Sequence, residues 1–357
     1  MERRASMKDI AQRAGVSKTA VSLALRNDPQ VSESLRNRIQ KIASELGYVR
    51  NPKIGELMSQ MRSSSTRNQH GTLALINGNQ DPKAHIQHPT IPTYYEGCKR
   101  RAEALGYATD KFWLYEPNMS SQRWVSILKS RGISGIVIIG MMRQNRIPEF
   151  FKPVIEQFPT TVTGVRTRKP ALSFSCADHH MLTLQAFERA IACGYQRPGL
   201  VMEATIDNLV EHRFTSAFRT GQQKYIPAEE HIPIFNRFDE AKTDPQIFFE
   251  WFESARPDVI LTLFHTVERW LKESGVSIPN EVGLIQLEHR KQHPDWAGMD
   301  QHNDICGEAA VDMVINLIYN GEKGFPEYPR ATLIGSTWVN GTTVKSIPSD
   351  LLPAPLI

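Results

Sequence analysis

The sequence predicts a small all-α head joined to a larger α/β body of doubly wound parallel sheets. Three observations lead there. Up to about residue 50 the apolar residues recur at helical spacing, broken by short polar turns, with no β-rich run. From Gly71 onward, short apolar β-branched runs alternate with amphipathic stretches, the pattern of strands and helices in alternation. Charge is also uneven: up to His70 there are thirteen Lys/Arg against six Asp/Glu, whereas the whole 357-residue chain carries only +4. A basic head on a slightly acidic body suits phosphate contacts at one end only.

In the head, Ser6 followed by Asp9 reads as a capping box for a helix over about Met7 to Ala14. Gly15 can supply the positive φ of a tight exit turn, and Ser17 can cap the next helix. Two helices joined this closely form a helix-turn-helix, whose second helix is free to enter a major groove. On it Val21, Ala24 and Leu25 face inward, while Lys18, Thr19, Ser22 and Leu23 share another side. A third helix is expected from the cap Ser32, with Leu35, Ile39, Ile42 and Leu46 on one face and Gly47 as its stop.

The string DIAQRAGVSKTAVSLAL, followed by VSESLRNRI and LGY, resembles the N-terminus of LacI/GalR-type transcriptional regulators. The AGVS turn, the following VS and the LGY end all fall at that family's spacing. The resemblance implies a DNA-reading face of Ser17, Lys18, Thr19, Ser22, Leu23 and Arg26. Lys18 can donate to guanine O6/N7, Thr19 can bond either base type, and Leu23 can make only apolar contact. The family's common Arg at the Leu23 position is absent. A three-helix bundle used for protein contacts is the alternative.

Asn51-Pro52 is a helix-start signature. The segment that follows resembles the family's hinge helix, and by its distance from Tyr48, Leu57 matches the Leu that wedges into the minor groove. Asn51 and Leu57 are therefore DNA-binding candidates. Two positions depart from the family: Arg50 stands at the usual Pro, and Ile54-Gly55 at a frequent Ala-Arg pair.

In the body, strands are expected at 72–76, 109–115, 135–140, PTTVTGV, GLVME, DVILTLF and VGLIQLE, separated by helices. Two such sets in tandem resemble the two-lobed, periplasmic-binding-protein-like sensor of the same family, with its ligand in the cleft at the carboxyl ends of strands. The resemblance places Arg213 at an Arg that clamps effector hydroxyls or carboxylates, and Glu288 where the family carries an effector-binding Asp. Asp178 and the Ala186–Tyr195 stretch follow the DN…A…GH pattern, with His179 and Tyr195 substituted. The stretch LFHTVERW lacks the family's Asn-Asp, and His265 within it is an effector-binding candidate. Tyr94, Tyr95 and Trp113 could stack on sugar rings, although aromatics at these spacings commonly lie in a core. Asn77–Thr93 carries an insertion rich in Pro and His, in which His85 and His88 fall on a loop.

No catalytic, metal or cofactor site is expected. His289 and His293 stand i, i+4, but Pro294 and the preceding strand make that stretch a crossover loop. There is no G-x-S-x-G elbow, P-loop or G-x-G-x-x-G after a strand. Cys98, Cys176, Cys193 and Cys306 form no CxxC and read as reduced thiols. No apolar run approaches the ~18 residues of a membrane span, and MERRASMKD lacks the apolar core of a secretory signal, so a cytoplasmic protein is expected. The expected organisation is a helix-turn-helix domain at 1–50, a hinge at 51–70, and an effector-binding and dimerisation domain at 71–357. The expected function is a homodimeric repressor of a pseudo-palindromic double-stranded DNA operator, controlled by a small saccharide-like effector. The alternative is an α/β sugar-binding or sugar-modifying protein with a vestigial head.

Overall fold

The structure is a computed structural model and describes residues 7–25, 31–46 and 71–346. Three helices make the head: α1 (Met7–Ala14), α2 (Lys18–Ala24) and α3 (Glu33–Glu45). Ile10, Ala14, Val21, Ala24 and Ile39 are fully buried between them. The turn between α1 and α2 forms as the residues require. Gly15 takes φ +66°, which lets the Val16 N–H reach the Ala11 carbonyl at 3.0 Å. Ser17 is extended, and its Oγ accepts from the Ala20 N–H at 3.1 Å. Ser32 differs from expectation: it precedes α3 but forms no side-chain cap, its Oγ lying 3.3 Å from that of Ser34. Arg36 Nη2 instead ties α3 to the Val31 carbonyl at 3.0 Å. Arg38 donates to the Ala14 carbonyl at the end of α1, and Arg13 pairs with Glu45 at 3.0 Å. Ser6 and Gly47 lie outside the described residues.

The body runs β1 (Thr72–Asn77), α4 (Ala84–Gln87), α5 (Ile91–Ala104), β2 (Ala108–Trp113), α6 (Ser121–Ser130), β3 (Ile133–Ile139), α7 (Lys152–Ile155), β4 (Thr160–Thr163), β5 (Phe174–Ala177) and α8 (His179–Ala192). It continues through β6 (Pro198–Val201), α9 (Ala204–Leu209), α10 (Arg213–Tyr225), α11 (Phe238–Thr243), α12 (Gln246–Ala255), β7 (Val259–Thr262), α13 (Thr266–Glu273) and β8 (Gly283–Gln286). The last elements are β9 (Ala297–Asp300), α14 (Asn303–Asn320), β10 (Ala331–Ile334) and β11 (Thr337–Val339).

These strands form two sheets. The first has the order β10-β5-β4-β3-β1-β2, parallel throughout; the second has the order β11-β9-β8-β7-β6, with only β11 antiparallel. Central strands are buried on both faces, as in β7 and β8, where every residue is buried. That is why they read as unbroken apolar runs rather than alternations. Each sheet with its helices makes one lobe.

The chain passes between lobes three times: at Asp178, at Gln301–His302 and at Gly335–Ser336. Helix α14 therefore follows a second-lobe strand but packs on the first sheet. Thr161 Oγ1 donates to the Ala310 carbonyl at 3.1 Å, and Ser175 Oγ to that of Cys306 at 2.7 Å. The backbones of α5 and α14 approach so closely that Gly97 and Gly307 face them with no room for a side chain. Strand β5 and everything after Glu288 were not anticipated from the sequence. One expected loop is also partly helical: His85 lies in the single turn α4, with His88 just past its end.

Candidate functional site

On the head, α2 is fixed from below by Val21 and Ala24, and its N-terminus by the Ser17 cap. Ser17 itself is exposed. Leu23 is half-buried and packs against the head core, so only part of it remains available for a base. The side chains of Lys18, Thr19 and Ser22 lie outside the described residues, as do Arg26, Asn51 and Leu57 entirely.

In the body, the carboxyl ends of the strands meet where the lobes face each other. Glu288 follows β8 and is buried; its Oε1 accepts from Asn303 Nδ2 at 3.0 Å and its Oε2 from Arg290 Nη2 at 2.8 Å. Asn303 begins α14, so this contact joins the two lobes. Arg213 begins α10 in the second lobe and reaches Cys176 Sγ, on β5 of the first, at 3.7 Å. Burial pushes the Cys176 thiol up to about 11, against the opposing pull of Arg213, so it stands as a neutral thiol.

From the first lobe, the Pro- and His-rich insertion closes over the same region. Asn77, Asn79 and Asp81 each accept a backbone N–H two residues on, at 3.0, 2.9 and 2.8 Å, which winds the loop into α4. His88 is then held by its Nδ1, which accepts from the Thr90 and Ile91 N–H groups at 3.1 and 3.4 Å. That leaves the proton on Nε2. His88 is lowered in pKa by burial, with Glu288 opposing from across the cleft and Arg290 reinforcing.

Tyr94 is buried beside Gly164, and burial first, then Cys306, Glu288 and Cys176, raise its phenol far above the ordinary value. Among the described residues its hydroxyl has no hydrogen-bond partner. Trp113 is placed differently: its Nε1 donates to the Asn79 carbonyl at 2.9 Å and pins the insertion. Tyr95 is buried in the core under His85, with ring centroids 5.9 Å apart. His265, just past β7, stacks on His293 with ring centroids 3.7 Å apart and meets Trp296 at a tilt, centroids 4.6 Å apart. Burial, then His293, Arg290 and His289, lower its pKa to about 4, so it is neutral near pH 7.

Buried polar atoms without a partner gather in this region: His179 Nδ1, His265 Nε2, His289 Nε2, Arg290 Nε and Asn303 Oδ1. Such atoms are costly and uncommon in a native fold, so a cluster of them at the mouths of strands marks a place where a polar molecule would supply partners. Of the residues gathered here, Arg213, Glu288, His265 and Tyr94 are among those the sequence singles out as effector-binding candidates. His88, Arg290, Asn303 and Cys176 lie beside them and are not assigned by local spacing. Among the described residues no group of three or more His, Cys, Asp or Glu side chains is placed to hold a metal ion, and no helix is long and apolar enough to cross a membrane.

His179 offers a test of this environment. It is buried against Phe214, ring centroids 4.9 Å apart, and burial, then Arg213, lower its pKa to about 3. The folded state therefore binds this proton less readily than the unfolded state, whose reference value is 6.5. Its contribution to stability is complete above pH 6.5 and is lost progressively as pH falls from there toward 3. His179→Phe, which keeps the ring contact, should flatten the acid limb of stability in urea melts across that window. An unchanged limb would locate acid sensitivity elsewhere.

Comparison with known proteins gives the same picture. Residues 6–51 match the family described as bacterial regulatory proteins, lacI family. The repressor CytR of Escherichia coli (strain K12) is 29% identical over 139 residues, a match spanning 39% of this chain and 37% of that protein's length. The regulator GalR of Salmonella typhimurium (strain LT2) is 23% identical over 294 residues, 79% of each chain. Among solved structures, a CelR–cellobiose complex superposes with TM-score 0.57 at 15% identity, covering 95% of this chain and all of the other. The lac repressor dimer bound to operator and the anti-inducer ONPF does so with TM-score 0.55 at 16% identity, covering 96% and 100%. The head at residues 6–51 thus matches the lacI family of bacterial regulatory proteins, and the two-lobed body shares the fold of such regulators.

Proposed function

We propose that this chain is a sequence-specific transcriptional repressor and not an enzyme. It binds a pseudo-palindromic operator as a homodimer in the cytoplasm and responds to a small saccharide-like effector held between its lobes. The observation that carries this reading is the head: a Ser17-capped α2 seated on Val21 and Ala24, within residues that match the lacI family. One such head spans half a site, and two-fold symmetry supplies the other half. In this reading the domains are the head at 1–50, a hinge at 51–70 and the sensor at 71–357. Ser17, Lys18, Thr19, Ser22, Leu23 and Arg26 face the major groove, while Asn51 and Leu57 act at the operator centre. The Ser17 hydroxyl already accepts from Ala20, which leaves its own proton to donate to a phosphate.

Arg213, Glu288, Tyr94 and His265 line the effector cleft. The CelR and lac repressor structures with cellobiose and ONPF support a saccharide-like ligand by analogy of fold. An effector that binds one lobe arrangement better than another shifts the population of DNA-binding states. The test is a gel shift with fragments of the source genome. A specific band should form, and Lys18→Ala should weaken it by about 1–3 kcal/mol while relaxing preference at one base pair. A uniform loss over all sequences would make Lys18 a phosphate contact. Absence of any specific band would leave the head vestigial.

A further inference from the structure

The loops at the carboxyl ends of β3 and β4 carry an unusual concentration of positive charge: Arg143, Arg146, Arg166, Arg168 and Lys169. Two of these meet Arg213 of the opposite lobe on a single carboxylate. Glu211 Oε1 accepts from Arg168 Nε and Nη2 at 3.2 and 3.1 Å, and its Oε2 lies 3.5 Å from Arg166 Nη1 and 3.6 Å from Arg213 Nη2. Three guanidinium groups share one negative charge there, an excess of two. Arg143 and Arg146 beside them have no ion-pair partner among the described residues.

Arg213 is the poorly served member. Its side chain is 19% exposed, yet its donors meet only a thiol at 3.7 Å and a carboxylate beyond hydrogen-bond distance. A partly buried guanidinium has five N–H donors to satisfy. Close by, His179 is buried with its Nδ1 unpartnered.

The position of Glu211 is imposed rather than relaxed. Glu211 and His212 both take left-handed backbone, φ +61° and +59°, a conformation costly for residues other than glycine. Asp207, itself buried, holds the turn: its carbonyl accepts from the His212 N–H at 2.8 Å, and its Oδ2 takes Thr215 Oγ1 at 2.7 Å and lies 3.0 Å from His212 Nδ1. Glu211 is thus presented across the cleft to Arg166 and Arg168.

We propose that the effector is an anionic saccharide, carrying a carboxylate or a phosphate, whose charged group takes the place of Glu211 among Arg166, Arg168 and Arg213. This rests on the reading of the body as the sensor. A neutral sugar that displaced Glu211 would raise the uncompensated charge from two to three; a carboxylate holds it at two, a phosphate dianion lowers it to one, and either offers the planar arginine forks oxygens at matching spacing. Glu211 is the internal anion that holds these groups, and its displacement transfers two arginines of one lobe from a protein contact to the ligand.

The experiment uses the full-length chain and paired probes: glucose with gluconate and glucose 6-phosphate, and ribose with ribose 5-phosphate. Binding is read by tryptophan fluorescence and operator release by gel shift. At least one charged probe should bind at least tenfold more tightly than its neutral parent, and more weakly as salt rises. Arg166→Gln and Arg168→Gln should each weaken that probe severalfold. Arg330→Gln, the same charge loss at the far end of the first sheet, should not. Glu211→Gln should tighten it, because a competing carboxylate is gone; a residue of merely structural importance would weaken it. A neutral probe that binds and releases operator as well as its charged partner overturns the proposal while leaving the sensor reading in place. Weaker anion binding by Glu211→Gln, or no response to any probe, also overturns it. A loss of operator binding in the unmodified chain, by contrast, would count against the regulator reading itself.

Discussion

Gly307→Ala is expected to destabilise the body by about 3 kcal/mol, the upper part of the usual cost of overpacking. A Cβ at Gly307 would lie 2.3 Å from the Tyr94 carbonyl oxygen and 3.0 Å from the Cys98 nitrogen. Both are backbone atoms of α5, which cannot rotate out of the way. The opposite wall is the same: a Cβ at Gly97 would stand 1.9 Å from the Asp304 carbonyl. Alanine is the better helix former by about 1 kcal/mol, so the clash must also overcome that gain. Urea unfolding followed by tryptophan fluorescence measures the result, and an unshifted midpoint would mean that the two helices separate without cost. Tyr94 and Asn303 sit on these helices, so the folded fraction of the variant should also hold a widened cleft.

Glu288→Ala should lower stability by about 3 kcal/mol in the absence of effector, as expected when one partner of a buried ion pair is removed. The substitution strands Arg290, whose Nε already lacks a partner, and frees Asn303 Nδ2. The side chains of Glu288 and Arg290 are only 12% and 22% exposed, which limits how far water can replace the lost contacts. Glu288→Gln, which keeps an acceptor for Asn303, should cost less. Thermal melts of the three proteins give the comparison. An alanine variant as stable as the parent would show that Arg290 turns out to solvent and that the pair contributes nothing.

The head was legible because its determinants are local. Gly15, Ser17 and the Val21–Ala24 face act within a few residues of one another, and periodicity exposes them. Ser32 shows the limit of that logic, since a residue of the right type before a helix forms no cap when its hydroxyl sits against Ser34 instead. In the body, the strands up to Glu288 were legible from the alternation of apolar runs and helices, β5 excepted.

The later elements were not. β9 is only Ala-Gly-Met-Asp, and α14 starts after His302 at φ +51° without a side-chain cap. The cleft was half legible. Arg213 and Glu288 stand out by residue type after strands, whereas Asn303 reaches Glu288 only because the chain crosses between lobes. For Trp113, which could stack on a sugar ring or lie in a core, spacing does not show that a carbonyl 34 residues away takes its indole N–H. The Glu211–His212 turn is invisible to propensity, which disfavours it; Asp207 and Thr215 impose it from outside.

The threefold passage of the chain between lobes also shapes how the protein must be made. When β5 has emerged from the ribosome, its outer edge is unpaired, because β10 has not been synthesised. The intervening stretch of roughly 150 residues takes about 10–30 s at ordinary elongation rates. Over that interval the apolar surface beneath α14 is bare as well. The first lobe thus waits for α14 and β10 to be synthesised before it can close, while the head, whose third helix ends at Glu45, can fold far earlier. Nascent chains stalled before α14 should therefore carry a folded head on an open, chaperone-binding sheet.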